Sequence, residues 1–135
     1  MKVATDESGT AFSRKFLQAH LPRILRDAAE AHQPVTLMGL KLIADCVDDV
    51  TNAAIETAYV KTTELINNLV RMQDVVCRWD KDKFVLAFFN TNEAEAKTIL
   101  KRIQALLNCT VYDSGIADGS PLNISAQNLI REIPP

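Results

Sequence analysis

Helix-like and strand-like patterns of apolar residues alternate along the chain. Over residues 12–28 apolar side chains recur at steps of three and four, which predicts an amphipathic helix. This stripe consists of Phe12, Phe16, Leu17, His20, Leu21, Ile24, Leu25 and Ala28. Pro22 lies inside the stripe and predicts a kink or a break, because proline cannot donate the helical hydrogen bond. His20 has no second metal-type residue beside it, which indicates a histidine at the edge of the core.

A strand and two further helices follow. Residues 35–43 form a nearly continuous apolar run with β-branched members, which is typical of a central strand covered on both faces. The helical period returns over residues 51–71 and again over residues 93–107. Arg102 lies about 100° from the centre of the last apolar stripe, at its flank, where it can reach solvent or a ligand.

A β-hairpin is predicted between the second and third helices. Residues 75–79 and 83–89 are short apolar runs on either side of Asp80-Lys81-Asp82. After the third helix, residues 110–112 and 115–117 are short strand candidates, and residues 125–132 are predicted to form a short helix. Because strands and helices interleave around the hairpin, the fold class is α/β (α+β), with a mixed, largely antiparallel sheet packed by helices.

Composition narrows the class of protein. The 135 residues suffice for one domain, and a formal net charge of -2 gives no reason to expect a nucleic-acid polymer or a membrane surface as partner. No apolar run is long enough to span a bilayer, and none follows Met1 as a signal peptide would. Cys46, Cys77 and Cys109 fit neither a disulfide framework nor a zinc site, so we expect buried free thiols and a cytoplasmic location.

Four segments together resemble the GGDEF domain of diguanylate cyclases. Residues 6–15 match the length of its opening D-x-L-T-G-L-x-N-R-R, and residues 35–43 resemble its first strand, which normally ends in D-x-D. Residues 78–84 stand where R-x-G-G-D/E-E-F is expected, and residues 115–117 resemble its S-I-G-V-A strand. The residues that agree with the opening motif and the signature are Asp6, Arg14, Lys15, Arg78, Asp82 and Phe84. The resemblance implies a nucleotide-cyclase-like fold, with about five strands wrapped by helices.

The departures from the family pattern concern the metal site. In active members, two Mg²⁺ ions that hold GTP are bound by the first Asp of D-x-D and by an acidic signature residue. Lys41 and Ile43 replace the two Asp residues, and a lysine repels the metal. The signature also differs at three other positions, where Asp80 and Lys81 replace the two glycines and Lys83 replaces the glutamate. Asp82 alone cannot hold two metals, and the family's final helix is missing, so we expect a degenerate domain with no cyclase activity, no catalytic residue and no cofactor.

A second family site looks intact. Many GGDEF domains bind their product, cyclic di-GMP, through an R-x-x-D pair ending six residues before the signature and an arginine on the following helix. Arg71, Asp74 and Arg102 stand at these positions, with Arg78 as an accessory candidate. Arginine can bond a guanine edge, stack on a base or neutralise phosphate, and a carboxylate can accept from guanine N–H groups. The resemblance implies a ligand that binds as an intercalated dimer, with Arg102 acting in cis or in trans.

Simpler interpretations of these residues stay open. Arg71 and Asp74 could form only a helix-end ion pair, worth a few tenths of a kcal/mol. Trp79, the one tryptophan, is interpreted as sheet packing. The chain could then be a nucleotide-independent protein-interaction or dimerisation module. Because GGDEF domains usually follow sensor or receiver domains, we expect residues 1–135 to be one domain from the C-terminal end of a longer protein.

Overall fold

One five-stranded sheet organises the chain. The computed structural model describes residues 12–45, 52–110, 112 and 122–134. Its elements are β1 (Phe12–Ser13), α1 (Arg14–Glu30), β2 (Val35–Asp45), α2 (Asn52–Leu69), β3 (Val75–Arg78), β4 (Lys83–Phe89), α3 (Glu93–Cys109) and β5 (Asn123–Ile133). The strand order is β1-β3-β4-β2-β5, in which β1 pairs with β3 in parallel and every other neighbouring pair is antiparallel. The predicted mixed, largely antiparallel sheet is therefore confirmed.

The central hairpin has the predicted register. Val75 pairs with Ala87 and Arg78 pairs with Phe84. At the turn, the Trp79 N–H donates to the Lys83 carbonyl at 2.8 Å. Because both strands are apolar and adjacent in sequence, local pairing suffices to specify this part of the sheet.

Side chains of each strand alternate between two unequal cores. The larger core lies on the face covered by α2 and α3, and its β2 members are Met38, Leu40 and Leu42. The smaller core lies on the opposite face, where Leu17 of α1 packs on Val75, Cys77 and Ala87. On this second face, Lys41 and Ile43 of β2 are exposed, so β2 is covered on both faces only near its start.

The predicted helix over residues 125–132 is wrong, because these residues belong to strand β5. β5 pairs with β2 along its whole length, from Asn123 opposite Asp45 to Ile133 opposite Val35. The backbone hydrogen bonds of this long-range ladder outweigh the local helical preference of the segment. The strand candidates at Val111 and at residues 115–117 lie outside the described residues, whereas Tyr112 forms a bridge with Leu122.

The structure also tests the predictions made for Pro22, His20 and the cysteines. α1 continues through Pro22, which is exposed, so the helix does not break there. His20 is half-buried and packs on Phe16 with ring centroids 4.5 Å apart, as expected of a residue at the core edge. Cys77 is buried, but Cys109 is exposed at the end of α3, which corrects the expectation of buried thiols. Cys46 lies outside the described residues.

A buried tyrosine should give the fold a pH dependence at alkaline pH. Burial raises the pKa of the Tyr112 phenol above its ordinary 10.0, and its hydrogen bond with Thr62 at 2.9 Å opposes part of the shift. Since the unfolded chain loses this proton first, the free energy of unfolding should fall as pH rises above about 10. Measured by urea unfolding, Tyr112→Phe should lose less of its free energy of unfolding above about pH 10 than the wild type does. At neutral pH the variant should be less stable than the wild type by about 1 kcal/mol, because it lacks the hydrogen bond to Thr62. Equal alkaline slopes in both proteins would refute this assignment.

Candidate functional site

A closed turn between α2 and β3 presents the R-x-x-D pair. α2 ends at Leu69 and β3 begins at Val75, so Arg71 and Asp74 occupy the short connection. The Asp74 N–H donates to the Arg71 carbonyl at 3.0 Å. The Arg71 N–H in turn donates to Oδ2 of Asp74 at 3.1 Å. These reciprocal bonds fix both side chains on the same side of the turn.

The Arg71 guanidinium is held along one edge. Its Nε lies 3.1 Å from Oδ2 of Asp74, and its Nη2 lies 3.1 Å from Oδ1, so the pair is bidentate. Nη2 also reaches the Phe89 carbonyl at 2.9 Å and the Thr91 hydroxyl at 2.6 Å. Nη1 donates no hydrogen bond to any described residue, and 45% of the Arg71 side chain is exposed. Arg71 therefore offers Nη1 and its planar face to a ligand.

Asp74 is buried beneath this arginine. Its side chain is 1% exposed, and its oxygens accept from Arg71 and, at 3.4 Å, from the Phe89 N–H. The carboxylate is thus fully occupied by protein donors. In this conformation it positions Arg71 and does not face the solvent.

One pocket collects the three residues that the sequence singled out. Arg102 is exposed on α3, and its side chain forms no hydrogen bond or ion pair with another described residue. The pocket has a volume of about 290 Å³ and is lined by Leu69, Val70, Arg71, Asp74, Thr91, Glu95, Thr98, Ile99 and Arg102. The R-x-x-D turn and α3, which are distant in sequence, therefore present Arg71 and Arg102 to the same space.

The sequence interpretation missed three polar residues of this pocket. Thr91 is buried, bonds Nη2 of Arg71, and accepts at its carbonyl from the Thr36 hydroxyl at 2.7 Å. Glu95 and Thr98 lie on the same face of α3 as Arg102, at spacings of three and four residues. That spacing was available in the sequence and could have identified both. Glu95 also closes the capping box of α3 by accepting from the Asn92 N–H at 3.2 Å.

Arg78, the accessory candidate, lies away from this pocket. Its side chain is 7% exposed, and its Nη2 pairs with Glu56 of α2 at 2.8 Å. The same nitrogen donates to the Lys81 carbonyl at 2.8 Å. Arg78 therefore ties the hairpin turn to α2, and the structure does not bring it to the pocket of Arg71.

Two lysines lie where the family's signature and D-x-D motif place carboxylates, and one of them, Lys41, stands at a metal-ligand position. Lys41 and Lys83 are directly opposite each other on β2 and β4, and both are exposed. The Asp82 carbonyl is engaged by the Leu42 N–H at 2.7 Å. Within the described segments no cluster of three or more His, Cys, Asp or Glu residues could hold a metal ion. Ammonium groups repel Mg²⁺, so these residues do not fit the two-metal site of an active cyclase.

Comparisons with known proteins agree with this architecture. Residues 3–117 match the family model described as the GGDEF domain of diguanylate cyclases. The structure is similar to the GGDEF domain of YfiN (TpbB) from Pseudomonas aeruginosa, with 25% identity and a TM-score of 0.81, covering 96% of this chain and 75% of that one. No curated protein shows significant sequence similarity to the chain.

Two more distant structures share the fold. The GGDEF domain of DgcB from Caulobacter crescentus, in complex with c-di-GMP, is 14% identical with a TM-score of 0.67, covering 95% of this chain and 75% of that one. Pseudomonas aeruginosa SiaD, in complex with its activator SiaC, is 18% identical with a TM-score of 0.77, covering 98% of this chain and 51% of SiaD. The chain thus spans about half of SiaD. In the described part of the chain, no helix is long and apolar enough to cross a membrane.

Proposed function

The chain belongs to the GGDEF family of diguanylate cyclase domains, and from that premise we propose that it is a catalytically inactive member that binds cyclic di-GMP. Arg71 and Arg102 contact the ligand, and Asp74 positions Arg71. Binding changes the contacts of the domain with a protein partner or with a second copy, in the manner of a cytoplasmic cell-cycle effector such as PopA. The observation that carries this proposal is the convergence of Arg71, Asp74 and Arg102 on one pocket.

The chemistry of the pocket suits a guanine nucleotide. Nη1 of Arg71 can donate to guanine O6 or to a phosphate oxygen, and the guanidinium plane can stack on a base. Asp74 neutralises Arg71 and already accepts hydrogen bonds from its Nε and Nη2. A ligand can therefore stack on the guanidinium plane or accept a hydrogen bond from Nη1 alone. Arg102, which has no ion-pair partner among the described residues, supplies a charge-assisted bond to phosphate.

Size and charge favour a ligand shared between two domains. The pocket volume of about 290 Å³ lies at the small end of the range of about 300–1,000 Å³ for small-molecule sites. Its lining carries two arginines and two carboxylates, those of Asp74 and Glu95, so the pocket has no excess positive charge for two phosphates. An intercalated ligand dimer that bridges two copies of the domain would extend beyond one pocket and reach arginines of both copies, with Arg102 acting in cis or in trans. DgcB, a protein of the same fold, is in complex with c-di-GMP in its crystal structure.

Loss of catalysis follows from the charges at the metal positions. Lys41 replaces one of the two acidic metal ligands, and Lys83, directly opposite it, adds a second ammonium group next to the retained Asp82 in the sequence. Asp80 and Lys81 replace the signature glycines. Because Asp82 alone cannot assemble a two-metal site, we expect no cyclase turnover.

Two assays on the wild-type chain test the proposal. Isothermal calorimetry should show saturable heat with cyclic di-GMP, and incubation with GTP should release no pyrophosphate with either Mg²⁺ or Mn²⁺. Absence of heat at ligand concentrations up to about 1 mM would mean that the binding free energy is weaker than about -4 kcal/mol. That result would overturn the claim that the domain binds cyclic di-GMP and favour a nucleotide-independent interaction module. Turnover of GTP would overturn the claim of inactivity.

A further inference from the structure

A groove on the second face of the sheet lies outside the cyclic di-GMP pocket. α1 covers this face over β3 and β4, whereas Leu129 of β5 is 76% exposed on the uncovered half. Gly39 of β2 has no side chain, and a Cβ added there would lie 3.9 Å from Leu129 of β5. The groove has a volume of about 320 Å³ and is lined by Gly39, Leu40, Lys41, Trp79, Lys83, Phe84, Val85, Gln127, Asn128 and Leu129.

One row of side chains across the groove is cationic. Lys41 is the direct partner of Lys83 on one side and of Gln127 on the other. Neither ammonium group forms an ion pair or hydrogen bond with another described residue. Like charges directly opposite in an antiparallel pair destabilise the sheet, so an anion between them would relieve a repulsion that the fold contains.

Trp79 continues this row and gives it an aromatic wall. It follows β3, and its N–H bonds the Lys83 carbonyl at 2.8 Å. The Arg14 guanidinium lies 4.4 Å from the centroid of the indole ring, which adds a third positive charge nearby. No aspartate or glutamate is among the described residues that line the groove.

An apolar floor, an aromatic wall and paired ammonium groups define one class of ligand. The row beside the lysines is apolar and consists of Val85, Gly39 and Leu129, which pair in that order. We propose that this groove binds an organic anion that carries an aromatic ring, and that Lys41 and Lys83 hold its anionic group without a metal ion. The groove volume suits a small molecule.

Metal independence distinguishes this site from a nucleotide site that works through Mg²⁺. A carboxylate site binds polyphosphate only through a cation, whereas an ammonium pair bonds phosphate oxygens directly. Chelation of divalent ions should therefore leave the affinity unchanged. Added Mg²⁺ should weaken binding, because it competes with the lysines for the same oxygens.

The tryptophan provides a direct readout, because Trp79 is the only one in the chain. We would titrate the whole chain in EDTA, at constant ionic strength, with adenosine triphosphate, inorganic tripolyphosphate or anilinonaphthalene sulfonate. Saturable changes in Trp79 fluorescence are expected for the two ring-bearing anions, and tripolyphosphate alone should bind more weakly. Lys41→Ala and Lys83→Ala should each weaken binding by about tenfold.

Matched variants make the result decisive. Lys97 is an exposed lysine on α3, on the other side of the sheet, and Lys97→Ala should leave the titration unchanged. Arg71→Ala should also leave it unchanged, so this site can fail or hold independently of cyclic di-GMP binding. The proposal is overturned if the wild type shows no saturable signal, if the signal needs Mg²⁺, or if neither lysine substitution affects it.

Discussion

Arg71→Ala should lower the affinity for cyclic di-GMP by about 100-fold or more. The substitution removes a charge-assisted hydrogen bond and a stacking surface, and a hydrogen bond to a charged group contributes about 1.5–3 kcal/mol. Nη1 of this arginine has no partner among the described residues, so a ligand gains the bond without displacing a protein acceptor. Isothermal calorimetry of wild type and variant measures the difference directly.

The control for this variant is another arginine. Arg23 is exposed on α1 and does not line the pocket, so Arg23→Ala should bind cyclic di-GMP as the wild type does. Arg71→Ala also leaves the buried Asp74 carboxylate without its partner, which lowers the stability of the fold. The double variant Arg71→Ala/Asp74→Ala removes that unpaired charge. Weak binding that persists in the double variant therefore reports the lost contact with the ligand. An Arg71→Ala protein that binds with wild-type affinity would exclude this arginine from the site.

Asp74→Ala should have the second largest effect, on both stability and binding. The variant removes the acceptor of two side-chain bonds from Arg71 and leaves the Arg71 and Phe89 N–H groups unpaired. We expect the free energy of unfolding to fall by about 1–3 kcal/mol. This is less than the loss of a fully buried ion pair would cost, because Arg71 is 45% exposed and solvent screens its charge. With Arg71 free to rotate, the affinity for cyclic di-GMP should fall by about tenfold or more.

The asparagine variant tests positioning separately from folding. Asp74→Asn keeps the size of the side chain and one acceptor oxygen, so it should retain more stability than Asp74→Ala. Urea unfolding and calorimetry should rank both variants in the same order, and Asp27→Asn on the exposed face of α1 should change neither quantity. Full affinity in Asp74→Ala would show that Arg71 needs no carboxylate to hold it.

The sequence was most informative where structure is local. The hairpin and the three helices follow from short apolar periods, and the resulting elements differ from the predicted bounds by one or two residues. β5 could not be predicted in this way, because its conformation comes from pairing with β2, about ninety residues earlier in the chain. The register of R-x-x-D against the hairpin identified the residues that share the pocket.

The state of each site residue depends on distant partners that no local pattern reveals. Asp74 is buried because Phe89 and Thr91 approach the R-x-x-D turn from the far end of β4. Arg78 is unavailable because Glu56 reaches it from α2. Spacing along the chain could therefore name the candidate residues, whereas only the packed structure separates the side chains that face a ligand from those that support them.

A crystal of the wild-type chain soaked with cyclic di-GMP tests the central claim most directly. We expect a guanine against the face of Arg71, with phosphate near Arg102, and no metal ion beside Lys41. A ligand bound at another surface, with the Arg71 pocket left open in the same crystal, would contradict it.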